Sequence, residues 1–333
     1  VTFQLPFYYS VHKLINQRLL ILEGLKKMKI LVYGAGIQGS YLAHSLLKGN
    51  NQVTLLARGQ RKKELQTNGL VLTHSLQRKQ TKDTLQVIET LQPKDQYDLI
   101  FVTMKYSDFP TVIDSLAENC SQTILFVGNQ IDAAGLEKDL QQKSVQPKDV
   151  YFGFQLTGGM STDTGVSVLR FGKGQMKIGS LHTHFKLTQT LDTVFEGTNY
   201  GWSYEQKMDD WLKSHATMVM IQNSFEYLYD FSAVTIRKSG ELSTLSYALK
   251  EGIDLLEASG SEIFPKGQQF LFQHPALAKL FYTLYYRSPI SRMVQGNFKE
   301  VYELIRTFEH YQTKENKELD TLLQTAKEKY EKS

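Results

Sequence analysis

"KILVYGAGIQGSYLAHSL", Lys29 to Leu46, decides the fold. Ile30 to Tyr33 is a short apolar, partly β-branched run, the pattern of a parallel strand buried on both faces. Gly34-Ala35-Gly36-Ile37-Gln38-Gly39 then reads G-x-G-x-x-G. In that motif the first glycine makes the tight turn, the second lets backbone approach a pyrophosphate, and the third lets the next helix pack closely on the strand. Leu42, Ala43, Leu46 and Leu47 recur at helical spacing, so a helix is expected over Ser40 to Leu47. Its N-terminal amides and dipole would face the phosphates, with Ile37 and Gln38 of the glycine turn also expected to bind the cofactor. Glycine turns are common and the motif alone is weak evidence. Here a strand precedes it, a helix follows, and a second strand, Val53 to Ala57, comes after a Gly-Asn-Asn turn. In that context a dinucleotide-binding unit is the expectation.

The residue closing the second strand selects the nucleotide. An NAD site places Asp or Glu there for the ribose 2′-hydroxyl; this chain has Arg58, then Gly59, Gln60, Arg61, Lys62 and Lys63. A cation cluster in place of a carboxylate suits a 2′-phosphate, so NADPH is the expected cofactor, against the plainer reading of a solvated basic helix start. Two further strands, Tyr97 to Thr103 and Thr123 to Val127, end in Met104-Lys105 and Gly128-Asn129. Ligands of open parallel sheets sit outside the carboxyl ends of the strands. Lys105 and Asn129 therefore stand where a cofactor would pass, or else merely cap turns.

The bulk properties narrow the class. A chain of 333 residues, 41% hydrophobic and 22% charged, suits a globular protein of two domains. The net charge of +4 comes from basic residues spread along the chain, and neither nucleic acid nor a membrane is an expected partner. The single cysteine, Cys120, rules out an internal disulfide framework and multi-cysteine metal sites, so no metal and a cytoplasmic setting are expected. Cys120 itself reads as a small buried filler near a helix end. Residues 1–27 fit no dinucleotide-binding plan. They read either as a basic amphipathic helix or as translated leader, with Met28 as the true start and a ribosome-binding sequence within the codons of Leu22-Glu23-Gly24.

Past Tyr151 the texture changes to short β-like pieces, "YFGFQLTGG", "VSVLRFG" and "MKIGS", expected as an antiparallel extension of the sheet. Beyond about Tyr204 helical patterns run near 205–230, 241–259, 274–286 and 297–333. The expected fold is α/β: a Rossmann-type parallel-sheet domain over 28–203 with an antiparallel extension, plus an all-helical domain over 204–333. Aromatic-rich "LFYTLYYRSP", Leu280 to Pro289, reads as helical core or as the surface of a homodimer, core being the better fit.

With "MKILVYGAGIQGS", "LLARG", "VTMK", "VGNQIDAAGLE" and "GVSVLRFGKGQMKIGS" in this order and spacing, the chain from Met28 to about Tyr311 resembles the ketopantoate reductase (2-dehydropantoate 2-reductase) family. The resemblance implies NADPH-dependent reduction of a small-molecule 2-keto acid to a 2-hydroxy acid, most simply ketopantoate to pantoate in pantothenate biosynthesis, in an interdomain cleft. It implies that Lys105 contacts the cofactor and that Asn129 lies by nicotinamide and substrate. The family's catalytic lysine lies in a pattern like W-x-K-L-x-x-N-x-x-x-N, which places Lys213 of Trp211-Leu212-Lys213 in that role. A positioned ammonium stabilises the negative charge growing on a ketone oxygen and donates the proton. The plainer alternatives are a surface lysine or an ion pair with Asp209, four residues earlier. The two asparagines of the pattern fall on Thr217, taken as a substrate-binding position, and Ile221, which cannot bind a polar group. In "SRMVQGNFKEVYEL", Ser291 stands for the family's serine and Glu300 for its glutamate, with Glu303 the alternative. These departures keep two other readings open: a 2-hydroxy acid dehydrogenase for branched or aromatic keto acids, and a nucleotide-binding regulator without chemistry.

Overall fold

The computed structural model describes residues 27–162, 164–170, 172–293, 296–311 and 317–333. The leader expectation falls on residues 1–26 and Lys27, of which only Lys27, exposed ahead of the first strand, is among the described residues. Twelve strands are described: β1 (Met28–Tyr33), β2 (Asn51–Leu56), β3 (Leu70–His74), β4 (Lys79–Asp83), β5 (Gln86–Ile88), β6 (Leu99–Val102), β7 (Thr123–Val127), β8 (Asp149–Gln155), β9 (Gly158–Thr162), β10 (Gly165–Leu169), β11 (Gly174–Gly179) and β12 (Tyr200–Tyr204). The main sheet runs β12-β11-β8-β7-β6-β1-β2-β5. From β5 to β8 every pair is parallel, and β11 then turns antiparallel against β8. Ile30 to Tyr33, Leu99 to Val102 and Ile124 to Val127 are all buried. Continuous apolar runs are what a sheet covered on both faces requires. The chain leaves β1 toward β2 and returns on its other side as β6, so the strand order reverses at β1/β6 and opens a crevice at their carboxyl ends.

Helices α1 (Ile37–Leu46), α2 (Gly59–Asn68), α3 (Ile113–Glu118), α4 (Ala133–Lys143) and α5 (Thr188–Phe195) belong to the sheet half. A 3₁₀ segment, Tyr106–Val112, leads into α3. All eight residues from Gly39 to Leu46 are buried. A second sheet, ordered β4-β3-β10-β9, explains this: it covers the face of α1 turned away from β1 and β2. The expectation for "VSVLRFG" is corrected here. β10 pairs parallel with β3 and antiparallel with β9, and takes no part in the main sheet. Its alternating apolar residues serve a small sheet facing α1, a choice that periodicity alone does not make.

The remaining helices are α6 (Met208–Leu228), α7 (Ala233–Ser239), α8 (Leu242–Ala258), α9 (Lys266–Gln273), α10 (Pro275–Arg287), α11 (Phe298–Phe308) and α12 (Lys317–Glu331). They share one core, built from residues such as Ala216, Met220, Phe225, Leu249, Tyr282, Leu304 and Leu323. In α10, Ala278, Tyr282 and Tyr286 point inward while Leu280, Phe281 and Leu284 stay exposed, so the aromatic-rich stretch divides between core and surface. Cys120 also differs from expectation. It is exposed, and neighbouring Asn119 takes the buried place, its amide donating to Gln92 and Asp95 carbonyls, each at 2.7 Å. No helix among the described residues is long and apolar enough to cross a membrane.

Candidate active site

The glycine turn sits at the crevice. Gly34 has φ +117°, and a Cβ there would lie 2.5 Å from Thr103 O at the end of β6. A Cβ on Gly39 would lie 1.9 Å from Gly34 O and 2.4 Å from Thr103 Oγ1. These two glycines therefore close the strand–turn–helix joint. Gly36 differs: a Cβ there would meet nothing within 4 Å. It is the N-cap of α1 and provides no side-chain cap. The helix starts at Ile37, three residues before the expected Ser40; Ile37 packs on the sheet core and the Gln38 carbonyl accepts from Gln155 Nε2 at 3.3 Å, so the open space lies at Gly36. A helix start without a side-chain cap leaves backbone amides that can hold an anion.

Arg58, the N-cap residue of α2, is exposed beside this turn. Its Nη2 donates to Tyr33 OH at 2.5 Å, and its guanidinium lies 5.7 Å from the Tyr33 ring centroid. Arg61, one turn on, reaches the glycine turn itself: Nε donates to Ala35 O at 3.1 Å and Nη2 to Ser40 Oγ at 3.2 Å. The sequence places Arg61 in a basic cluster without separating it from Arg58. Lys105 is exposed at the end of β6, and the backbone turns there into the 3₁₀ segment.

Asn129 and Glu300, 171 positions apart, meet: Asn129 Nδ2 donates to Glu300 Oε1 at 3.0 Å. The same oxygen accepts the Tyr106 amide at 3.3 Å, so one carboxylate ties the ends of β6 and β7 to α11. Asn129 Oδ1 is buried and has no partner among the described residues. Glu303, one turn on, points elsewhere; it pairs with Arg306 at 3.3 Å and lines a cavity with Tyr106, Asp132 and Leu136. Between the two glutamates, geometry selects Glu300 as the partner of Asn129.

Lys213 lies where α6 crosses between two cores. Trp211 and Leu212 belong to the cluster under the sheet, whereas Ala216 and Met220 belong to the helical core. Its Nζ donates to Asp209 Oδ2 at 2.6 Å, and the side chain is 19% exposed. The ion pair weighed from the sequence is present. His215 stacks on Trp211, ring centroids 5.3 Å apart, and meets Phe154 at a tilt with centroids 4.0 Å apart; burial pushes its imidazole down to about 4. Thr217 is 2% exposed; its methyl and Ile221 face Gly252 of α8, and its Oγ1 has no partner among the described residues. The structure thus seats Thr217 in a helix–helix contact, with no hydrogen bond to Asn129 or Glu300 among the described residues. Ser291 is half-buried and donates to Ser288 O at 3.0 Å, within its own 3₁₀ turn.

Residues 30–183 match the family model for ketopantoate reductase PanE/ApbA. No curated protein sequence matches the chain. Solved structures share the fold at low identity. A D-mandelate dehydrogenase, described with NADH and anilino(oxo)acetate, is 17% identical over 91% of this chain and 100% of its own, with a TM-score of 0.66. A 2-dehydropantoate 2-reductase from Geobacter metallireducens GS-15 is 15% identical over 90% and 100%, with a TM-score of 0.68. Another from Methylococcus capsulatus is 14% identical over 92% and 97%, with a TM-score of 0.65. The glycine turn and the strand-end residues lie inside the segment that matches the ketopantoate reductase PanE/ApbA family model, and the chain as a whole, helical half included, shares the fold of these solved structures.

Proposed function

We propose that this protein is an NADPH-dependent reductase of a 2-keto acid, with ketopantoate the first substrate to test and pantoate the product. The observation that carries the reading is the pairing of Asn129 with Glu300 beside a bare, uncapped glycine turn. In this reading residues 28–203 bind the nucleotide and 204–333 supply the catalytic and substrate groups, in a cytoplasmic enzyme. Gly36 and the first turn of α1 hold the pyrophosphate, Arg58 the 2′-phosphate, and Lys105 flanks the cofactor at the end of β6. Bound NADPH supplies the hydride.

The chain's own groups do the rest. Lys213 meets the charge that grows on the ketone oxygen and gives it a proton, while Asp209 holds the ammonium in place beforehand. Glu300 fixes the Asn129 carboxamide so that its free oxygen faces a donor from the ligand.

A second reading rests on Thr217 and Ile221. Both are packed on Gly252, where the resemblance expects substrate-binding asparagines. A pocket without those amides suits a keto acid with a branched or aromatic side chain better than one with a hydroxyl to bind. Turnover of a panel of ketopantoate, branched 2-keto acids and phenylglyoxylate, followed at the nicotinamide absorbance, separates the readings. Fastest turnover of ketopantoate supports the first and fastest turnover of phenylglyoxylate the second. Tight NADPH binding with silence across the panel refutes both and leaves a regulator.

A further inference from the structure

We infer that Arg61 is a positioning residue for the phosphate-binding peptide, with a role separable from that of Arg58. The inference rests on the nucleotide reading above for its ligand, and on the turn's own geometry for its mechanism. Ala35 O accepts two hydrogen bonds, from Arg61 Nε and from Ser40 Oγ, both at 3.1 Å. Arg61 also donates to Ser40 Oγ at 3.2 Å, which closes a triangle of hydrogen bonds between the two side chains and the Ala35 carbonyl behind the turn. Glu64 Oε2 holds the remaining edge of the guanidinium at 3.4 Å. In a trans peptide the carbonyl and the following N–H point in opposite directions. Fixing Ala35 O against α2 therefore aims the Gly36 N–H the other way, away from Arg61.

That direction matters because Gly36 is the residue with empty space around it. A peptide already held in one orientation loses less freedom when it binds a phosphate. The Arg61 side chain is 21% exposed, so it is sheltered enough to be ordered and open enough to be replaced without a cavity. Arg58 is bound differently, to Tyr33 OH, with its guanidinium over the ring. Arg61 thus acts on the part common to all dinucleotides, and Arg58 on the 2′-phosphate that only NADPH carries.

The test measures amide hydrogen exchange of the 34–40 segment in the nucleotide-free protein, together with affinities for NADPH, NADH, ADP and 2′-AMP. In Arg61→Met, exchange at Ser40, whose amide donates to Gly36 O at 2.9 Å, should rise, and affinity for NADPH, NADH and ADP should each fall about tenfold, with 2′-AMP unchanged. Arg58→Ala should weaken NADPH and 2′-AMP and leave NADH and ADP alone. Arg61→Lys keeps the charge but lacks the fork that reaches Ala35 and Ser40 together, so it should stay weak. Full recovery in Arg61→Lys would show that charge alone matters and overturn the inference. So would unchanged exchange in Arg61→Met, or a loss confined to NADPH and 2′-AMP. If the wild-type protein bound none of the four nucleotides, the cofactor reading would fall, and the exchange measurement would still decide whether Arg61 holds the turn.

Discussion

Replacing Glu300 by alanine should damage both stability and turnover, and replacing Glu303 should do neither. Glu300→Ala removes the acceptor of two hydrogen bonds, from Asn129 Nδ2 at 3.0 Å and the Tyr106 amide at 3.3 Å. Bonds to a charged acceptor contribute ~1.5–3 kcal/mol each when well buried; these are half-buried and one is long, so about 1 kcal/mol each is the better figure. The residue also lies in the first turn of α11, where a carboxylate adds ~0.3–1 kcal/mol against the helix dipole. The sum, about 2–3 kcal/mol, shifts the unfolding equilibrium roughly thirty- to 150-fold. Glu303 loses only an exposed pair with Arg306, at most a few tenths of a kcal/mol by the ~0–1 typical of surface pairs. Turnover should follow the same order, because Asn129 without Glu300 is free to turn its carboxamide over. Glu300→Gln keeps an acceptor oxygen and should recover most of the stability. Urea denaturation at neutral pH gives the first quantity and keto-acid reduction the second. Equal or larger losses in Glu303→Ala would refute the assignment, as would a silent Glu300→Ala.

Lys213→Ala should bind NADPH almost normally and turn over at least ~100-fold more slowly, with little recovery in Lys213→Arg, whose guanidinium keeps its proton; wild-type rates would end the catalytic assignment, and an equal loss in Asp209→Ala would point to a structural pair. Gly39→Ala should cost about 3 kcal/mol or more in thermal denaturation, since its Cβ meets a backbone oxygen that cannot rotate away. Gly36→Ala should melt near the wild type yet bind nucleotide poorly, and the reverse ranking would show that the roles of the two glycines are misread. His74 lies under α1, 1% exposed; burial first, then the charges of His44, Arg170 and Lys79, hold its imidazole down at about 4, although Asp83 opposes them. A histidine that is neutral when folded takes up a proton on unfolding, so the stability it contributes is whole above its ordinary value of about 6.5 and is lost as pH falls toward 4. Urea midpoints between pH 7 and 4.5 should therefore fall less steeply in His74→Asn than in the wild type, and parallel slopes would count against this account.

Local chemistry determined much of this protein. A strand, a glycine turn and a helix follow from residues 29–46 because each preference there is satisfied within a few positions: apolar residues for a doubly covered strand, a bare turn, then helical spacing. The same holds for α6, α8 and α10, whose apolar faces repeat over several turns, and for the strand-end positions of Arg58, Lys105 and Asn129. Tertiary structure decided what depends on partners distant in the chain. The sequence favours Glu300 only by resemblance and leaves Glu303, three residues on in the same helix, as the alternative. Only the approach of α11 to the end of β7 turns one toward Asn129 and the other toward Arg306. Likewise β10 could join either sheet by its alternation, and pairing with β3, more than ninety positions earlier, settles it. Thr217 and Ile221 lie on the same helix face as Lys213, yet Gly252 of α8 claims them, because a glycine there lets two helices close on those side chains. Arg61 and Arg58 are alike in sequence and part only where the fold gives one Ala35 O and the other Tyr33 OH. A periodic pattern needs only its own neighbours to be read, whereas a hydrogen bond needs its partner, and the partner's position is set by how the elements pack.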